Sequence, residues 1–181
     1  MNTIAEEITN VLKQVGENEV IQLGNELQDA KRIFISGTGR SGLIGKVFAM
    51  RLMQSGYPVY IVGETITPSI ESDDLLLVIS GSGSTGTLVQ FSQKAKEIGA
   101  KLALVTTNKD SKVGQLSNCC LYIPAATKNR ESHEPETIQP LGSQFDQSVH
   151  LLLDALIVHL LQGDVDKQSN KRLNKLHANL E

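Results

Sequence analysis

Two short segments of this chain carry the residue types best suited to holding an anion. The first, Ser36-Gly37-Thr38-Gly39-Arg40-Ser41-Gly42, sets its glycines in the order G-x-G-x-x-G. That spacing lets backbone curl around a pyrophosphate at the start of a helix. Glu64 stands 22 residues after Gly42, where a dinucleotide-binding fold carries the acid for its ribose, so an NAD-binding reading has to be weighed. The second segment, Ser80-Gly81-Ser82-Gly83-Ser84-Thr85, puts four hydroxyls into six residues. Hydroxyl donors, a curled backbone and the positive end of a helix dipole together suit the dianion of a phosphomonoester. A pyrophosphate on the first loop would leave the second loop without a task. Helix caps and tight turns are the plainer explanation; they account for a lone Ser-Gly pair better than for this run.

The other candidates are acids and histidines. Asp146, His150 and Asp154 fall at i, i+4 and i+8 of an otherwise apolar stretch and form one polar stripe. Such a stripe can face water or a neighbouring subunit. Asp146 differs from the other two because it lies in the first turn, where a helix end can open onto a site. Glu64 can serve a site or pair on the surface. His133 lies in a polar loop and is expected to be solvated, and His177 would pass for part of a loose chain end. The sequence holds no C-x-x-C, H-x-x-x-H or G-x-S-x-G, which argues against a metal centre and against a serine-hydrolase elbow.

These residues need elements to position them. Ile4, Ile8, Val11, Leu12 and Val15, followed by Ile21, Leu23 and Leu27, predict one or two amphipathic helices over 3–29. The run Arg32 to Ser36 reads as a strand entering the first glycine loop, and 41–55 as a helix stopped by Gly56. Val59–Val62, Leu75–Ile79, Leu102–Val105 and Cys120–Ile123 read as further strands, with a helix over 85–98. Strands alternating with helices mean βαβ units, a mainly parallel sheet and an α/β fold. Both candidate loops then leave strands at the carboxyl edge, where open sheets bind ligands. Ala125 to Gln139 has no clear period and is long for a connection, which makes it a candidate lid or binding loop. Residues 142–162 predict a strongly apolar helix and 165–178 a polar one.

Composition narrows the classes further. The chain has 181 residues, a net charge of −3, 4% aromatic residues and no Trp. A single domain is expected, with neither a basic nucleic-acid footprint nor stacking platforms for bases. Cys119 and Cys120 are adjacent, poor partners for a disulfide, and suit a reducing compartment. Met1 to Glu7 lack the pattern of a signal peptide, and Leu151 to Leu161 is too short to span a membrane. A soluble, cytoplasmic protein is the expectation.

A serine loop behind a glycine-rich first loop resembles the sugar isomerase (SIS) domain family. Gly39 to Gly42, Gly63-Glu64-Thr65-Ile66-Thr67-Pro68, Ser80 to Thr85, Gln139-Pro140-Leu141-Gly142-Ser143 and the ending His177-Ala178-Asn179-Leu180-Glu181 are similar to its 6-phospho-3-hexuloisomerase branch. The similarity runs over nearly the whole chain. It implies one SIS domain over residues 1–181: three α/β/α layers around a five-stranded parallel sheet of flavodoxin-like order 2-1-3-4-5. It also implies a homo-oligomer, usually a tetramer. The implied reaction interconverts 3-hexulose 6-phosphate and fructose 6-phosphate through a cis-enediol(ate), the second half of formaldehyde fixation by the ribulose monophosphate route.

By the same resemblance, Ser80, Ser82 and Thr85 would hold the phosphate, with Ser84 a further substrate-binding candidate, while Ser36, Gly37, Arg40 and Ser41 would line the first loop. Asp146 and Glu64 are the candidate bases, and His177 would act in a neighbouring subunit's site. Relatives often carry Glu where this chain has Asp146, so the side chain here is one methylene shorter. Moving a carbonyl from C3 to C2 involves no redox change, and hydrogen bonds can stabilise the enediolate, so neither nicotinamide nor metal is expected. Three other readings stay open: another phosphosugar aldose–ketose isomerase, a non-catalytic sugar-phosphate sensor of the same fold, and an NAD-binding protein.

Overall fold

The computed structural model describes residues 1–162 and 170–180. The apolar spacing of the first thirty residues resolves into two helices, α1 (Asn2–Leu12) and α2 (Glu17–Asp29). Gly16 separates them, in extended backbone at φ −72° and ψ 116°. The chain continues through β1 (Ile33–Gly37), α3 (Gly39–Gln54), β2 (Val59–Ile61), β3 (Leu75–Ile79), α4 (Gly86–Ile98), β4 (Lys101–Thr106) and β5 (Cys119–Tyr122). A 3₁₀ turn, Gly114–Leu116, lies between the last two strands, and α5 (Ser143–Leu161) and α6 (Asn170–Lys175) follow. Element boundaries lie within a residue or two of the expected ones, except at the last helix. There the expected span 165–178 falls partly on 163–169, outside the described residues, and Asn170–Lys175 is the helix seen.

All five strands are parallel, in the order β2-β1-β3-β4-β5. The central strands are buried on both faces, so they read as near-continuous apolar runs rather than alternating ones. Alternation survives in which core each residue joins. Ile33, Ile35, Leu75, Leu77, Ile79 and Val105 face the core shared with α1, α2, α3 and α5. Phe34, Leu76, Val78, Leu102 and Leu104 face the one under α4. Cys119 belongs to the first core and Cys120 packs against the second, so the adjacent thiols point to opposite faces of the sheet. Burial pushes the Cys119 thiol up to about 12, leaving it unreactive.

The strand order determines where a ligand site can form. From β1 the chain passes to β2 on one side, then returns to β3 on the other. The crevice outside the carboxyl ends of β1 and β3 is therefore the topological switch point, the place where open α/β sheets bind ligands. The two loops singled out in the sequence leave those two strands. No described helix is long and apolar enough to cross a membrane.

Candidate active site

The first loop is shaped by close packing. A Cβ on Gly37 would lie 3.0 Å from Gly42 N and 3.1 Å from Ile79 O, and one on Gly42 would lie 2.7 Å from Gly37 O. Two of the three fingerprint glycines thus let the start of α3 sit directly on the end of β1. Dinucleotide-binding proteins use the same spacing for a similar packing purpose. Ser36 and Gly37, the last residues of β1, lie behind the cleft and do not line it.

The serine loop is held from behind. Thr106 Oγ1 (2.9 Å), Thr107 N (3.1 Å) and Thr107 Oγ1 (2.9 Å) all donate to the carbonyl of Gly81. Val113 N donates to the carbonyl of Gly83 at 3.0 Å. Inside the turn, Gly83 N donates to Ser80 Oγ at 3.1 Å, which leaves the Ser80 proton to donate elsewhere. Gly83 has φ +58°, and a Cβ there would lie 2.0 Å from Ser111 Oγ. Only glycine fits. With its carbonyls tied back, the loop offers hydroxyls and N–H groups at the start of α4. The cap residue Thr85 makes no side-chain cap bond, so capping does not occupy its hydroxyl.

The first turn of α5 gathers the surrounding segments. Asp146 is buried and accepts one bond on each oxygen, from Arg40 Nε at 3.0 Å and Ser41 Oγ at 2.9 Å. Arg40 uses one nitrogen here, and its side chain is 60% exposed, so its other donors face solvent or a ligand. Gln144 Oε1 accepts from Ala126 N at 2.7 Å, and Gln147 Nε2 donates to Gln139 Oε1 at 2.8 Å. One helical turn therefore fixes the first loop, the exit of β5 and the end of the 125–139 segment. The residues between 127 and 134 are closed on themselves, with Glu134 accepting from Thr127 N and Oγ1 at 2.9 and 2.6 Å.

These parts enclose an open cleft of about 1190 Å³. Of the residues expected at the site, it is lined by Arg40, Ser41, Ser80, Ser82, Ser84, Thr85 and Asp146. Glu64 is not among the lining residues. It lies exposed beyond β2 and pairs with Lys46 at 2.6 Å. His177 is exposed, with Nδ1 3.0 Å from the carbonyl of Ala178, and does not line the cleft either. A Cβ on Gly56, just past the end of α3, would lie 3.6 Å from Arg172 of α6. That end of α3 is at the sheet's amino edge, opposite the cleft. His133 does line the cleft, as do Thr107, Asn108, Lys109 and Asp110 after β4. This third loop carries no motif that marks it along the sequence. Its signal is topological, since every loop after a parallel strand reaches the same edge.

The SIS domain family matches residues 26–137. The chain is 36% identical to the 3-hexulose-6-phosphate isomerase of Bacillus subtilis, covering 98% of this chain and 95% of that one. It is 37% identical to the protein of the same name from Mycobacterium gastri, over 100% of this chain and 89% of that one. A hypothetical protein from Methanococcus jannaschii, whose crystal structure was taken to infer the function of 3-hexulose-6-phosphate isomerase, superposes with a TM-score of 0.85 at 31% identity. That superposition covers 99% of this chain and 98% of the other. With its sheet order, its serine loop at the switch point and these full-length likenesses, the chain belongs to the SIS domain family, in the branch that holds these 3-hexulose-6-phosphate isomerases.

Proposed function

We propose that this protein interconverts 3-hexulose 6-phosphate and fructose 6-phosphate, the isomerisation step of formaldehyde fixation by the ribulose monophosphate route. The observation that carries the reading is the four-hydroxyl loop at the start of α4, which lines one cleft together with Asp146, Arg40 and Ser41. Ser80, Ser82, Ser84 and Thr85 bind the phosphate with hydroxyl and backbone donors, helped by the helix dipole. Asp146 takes the C2 proton. A carboxylate has about four acceptor sites, and Arg40 and Ser41 fill two of them. The resulting cis-enediolate is stabilised by the remaining Arg40 donors, and the proton returns at C3 as the carbonyl forms at C2. Ser36 and Gly37 serve by supporting the first loop from behind.

His177 completes the cleft of a neighbouring copy, where imidazole moves a proton between oxygens as the hemiketal ring opens. Two observations support a shared site. Within one chain, α6 lies on the side of the sheet away from the cleft. The carboxyl edge also exposes Leu43, Ile66, Ile138 and Leu141 on three separate segments, an apolar rim that a second copy would cover. A homotetramer is the assembly proposed, and the free Cys119 and Cys120 support a reducing, cytoplasmic setting.

A coupled assay tests the reading. The protein should convert 3-hexulose 6-phosphate to fructose 6-phosphate in the presence of EDTA. Turnover of arabinose 5-phosphate instead would assign a different phosphosugar isomerase. Thermal stabilisation by sugar phosphates without turnover would assign a sensor.

A further inference from the structure

The SIS family match begins at residue 26, so α1 and most of α2 lie outside it. Each of these helices nevertheless binds, through one carboxylate, a segment that borders the cleft. Glu7 of α1 accepts from Thr137 Oγ1 at 2.5 Å, Ile138 N at 3.0 Å and Gln139 Nε2 at 2.9 Å. Glu19 of α2 accepts from Tyr122 N at 2.8 Å and pairs with the ammonium of Lys109. That ammonium also lies 5.5 Å from the centre of the Tyr122 ring. Lys109 and Tyr122 both line the cleft.

The hold that Glu7 exerts is passed on to the site. Gln139, which it fixes, also receives Gln147 of α5, next to Asp146, and a guanidinium bond from Arg130 on its carbonyl. Arg130 sits at φ +52° in the loop that carries Lys128, Glu131 and His133 into the cleft. Packing does not call for either acid, because α1 is held by its buried Ile8 and Val11, and α2 by Leu23 and Leu27. Three donors converging on one carboxylate fix geometry in a way that a lone surface pair does not.

We infer that the N-terminal helix pair positions one wall of the cleft: Glu7 sets the 127–139 loop, Glu19 sets Lys109 and Tyr122, and both act as positioning residues for sugar-phosphate binding. The kinetic side of this rests on the isomerase reading. The structural side does not.

The test uses the full chain in its native assembly, with Glu7→Gln and Glu19→Gln made separately. Glutamine keeps the size of the side chain but replaces one acceptor oxygen with an NH2 donor facing the existing donors. Hydrogen exchange without substrate should quicken over 127–139 in Glu7→Gln, and over 107–110 and at 122 in Glu19→Gln. With 3-hexulose 6-phosphate, each variant should raise KM by about tenfold and leave kcat within about threefold. Thr137→Val removes a Glu7 contact from the loop side and should reproduce the Glu7→Gln pattern, even if that variant fails to fold. Three results would overturn the inference: unchanged exchange in both segments, a uniform rise over the whole chain with a lower Tm, or a fall in kcat with KM unchanged. If the wild type does not turn over hexulose phosphate, the functional reading fails and the exchange pattern still decides the positioning role.

Discussion

Asp146 and Glu64 are both acids near the carboxyl edge of the sheet, yet their surroundings differ. Asp146 is buried against Arg40 and Ser41, inside the cleft, while Glu64 pairs with Lys46 in the open, where an ion pair contributes little. Asp146→Asn should lower kcat by about 10²–10⁴ while Glu64→Gln leaves most of it, read in the coupled assay. The opposite ranking would move the base to Glu64. Glu7 gives a pH dependence. Burial raises its pKa, but the bonds from Thr137, Gln139 and Ile138, with the charge of Arg130, outweigh burial and hold it below the ordinary carboxylate value. A lowered folded-state pKa stabilises above the unfolded value, and that contribution is lost as pH falls through the folded one. Protection over 127–139, taken relative to the unstructured chain at the same pH, should therefore hold from neutral pH down to the ordinary carboxylate range and fall only below it. An equal loss of protection already at pH 6 would count against an ionised Glu7 as the hold.

At the scale of elements, the loop between β3 and α4 separates chemistry from architecture within four residues. Ser82 is exposed and lines the cleft. Removing its hydroxyl should raise KM by roughly ten- to a hundredfold, the worth of a charge-assisted hydrogen bond, without moving Tm. Gly83 is buried at φ +58° with Ser111 where a Cβ would go. Gly83→Ala should lower stability by about 1–3 kcal/mol and also weaken phosphate binding, because the turn must open. Thermal unfolding and KM measured on both variants check the contrast. A Gly83→Ala protein with wild-type Tm would mean that the turn relaxes freely. The first turn of α5 works the same way on a larger scale: Gln144, Asp146 and Gln147 each tie down a different segment around the cleft.

Considered as a whole, one chain has an open cleft that His177 does not line. A helix of the length of α5 spans about 28 Å at 1.5 Å per residue. It starts at the cleft with Gly142 and carries the chain toward the opposite edge, where Leu173 of α6 packs on the first core. A site that needs both Asp146 and His177 then requires two copies. Inactive His177→Ala chains mixed with inactive Asp146→Asn chains should regain partial turnover in hybrid oligomers, since some sites would receive both intact residues. Hybrids shown to form without any recovered activity would rule out the shared site. Full turnover by His177→Ala alone would do so sooner.

Element types and their order follow from the sequence by itself, because local periodicity and turn residues report on neighbours a few positions apart. The choice between one helix and two over 3–29 stayed open, while the strands before Gly37 and Ser80 and the helices after them were legible in that way. So was the serine loop, whose hydroxyls and glycines are contiguous. The last helix was legible only in part, since its expected start falls outside the described residues. The G-x-G-x-x-G spacing was ambiguous for a physical reason: close strand–helix packing calls for the same glycines whether or not a dinucleotide binds. Only the tertiary structure brought Arg40 and Ser41 to Asp146, more than a hundred residues along the chain, and Glu7 to Gln139. It also placed Lys109 and His133 in the cleft and left Glu64 and His177 outside it. Those placements depend on how helices pack against the two faces of the sheet, and no spacing along the chain encodes that.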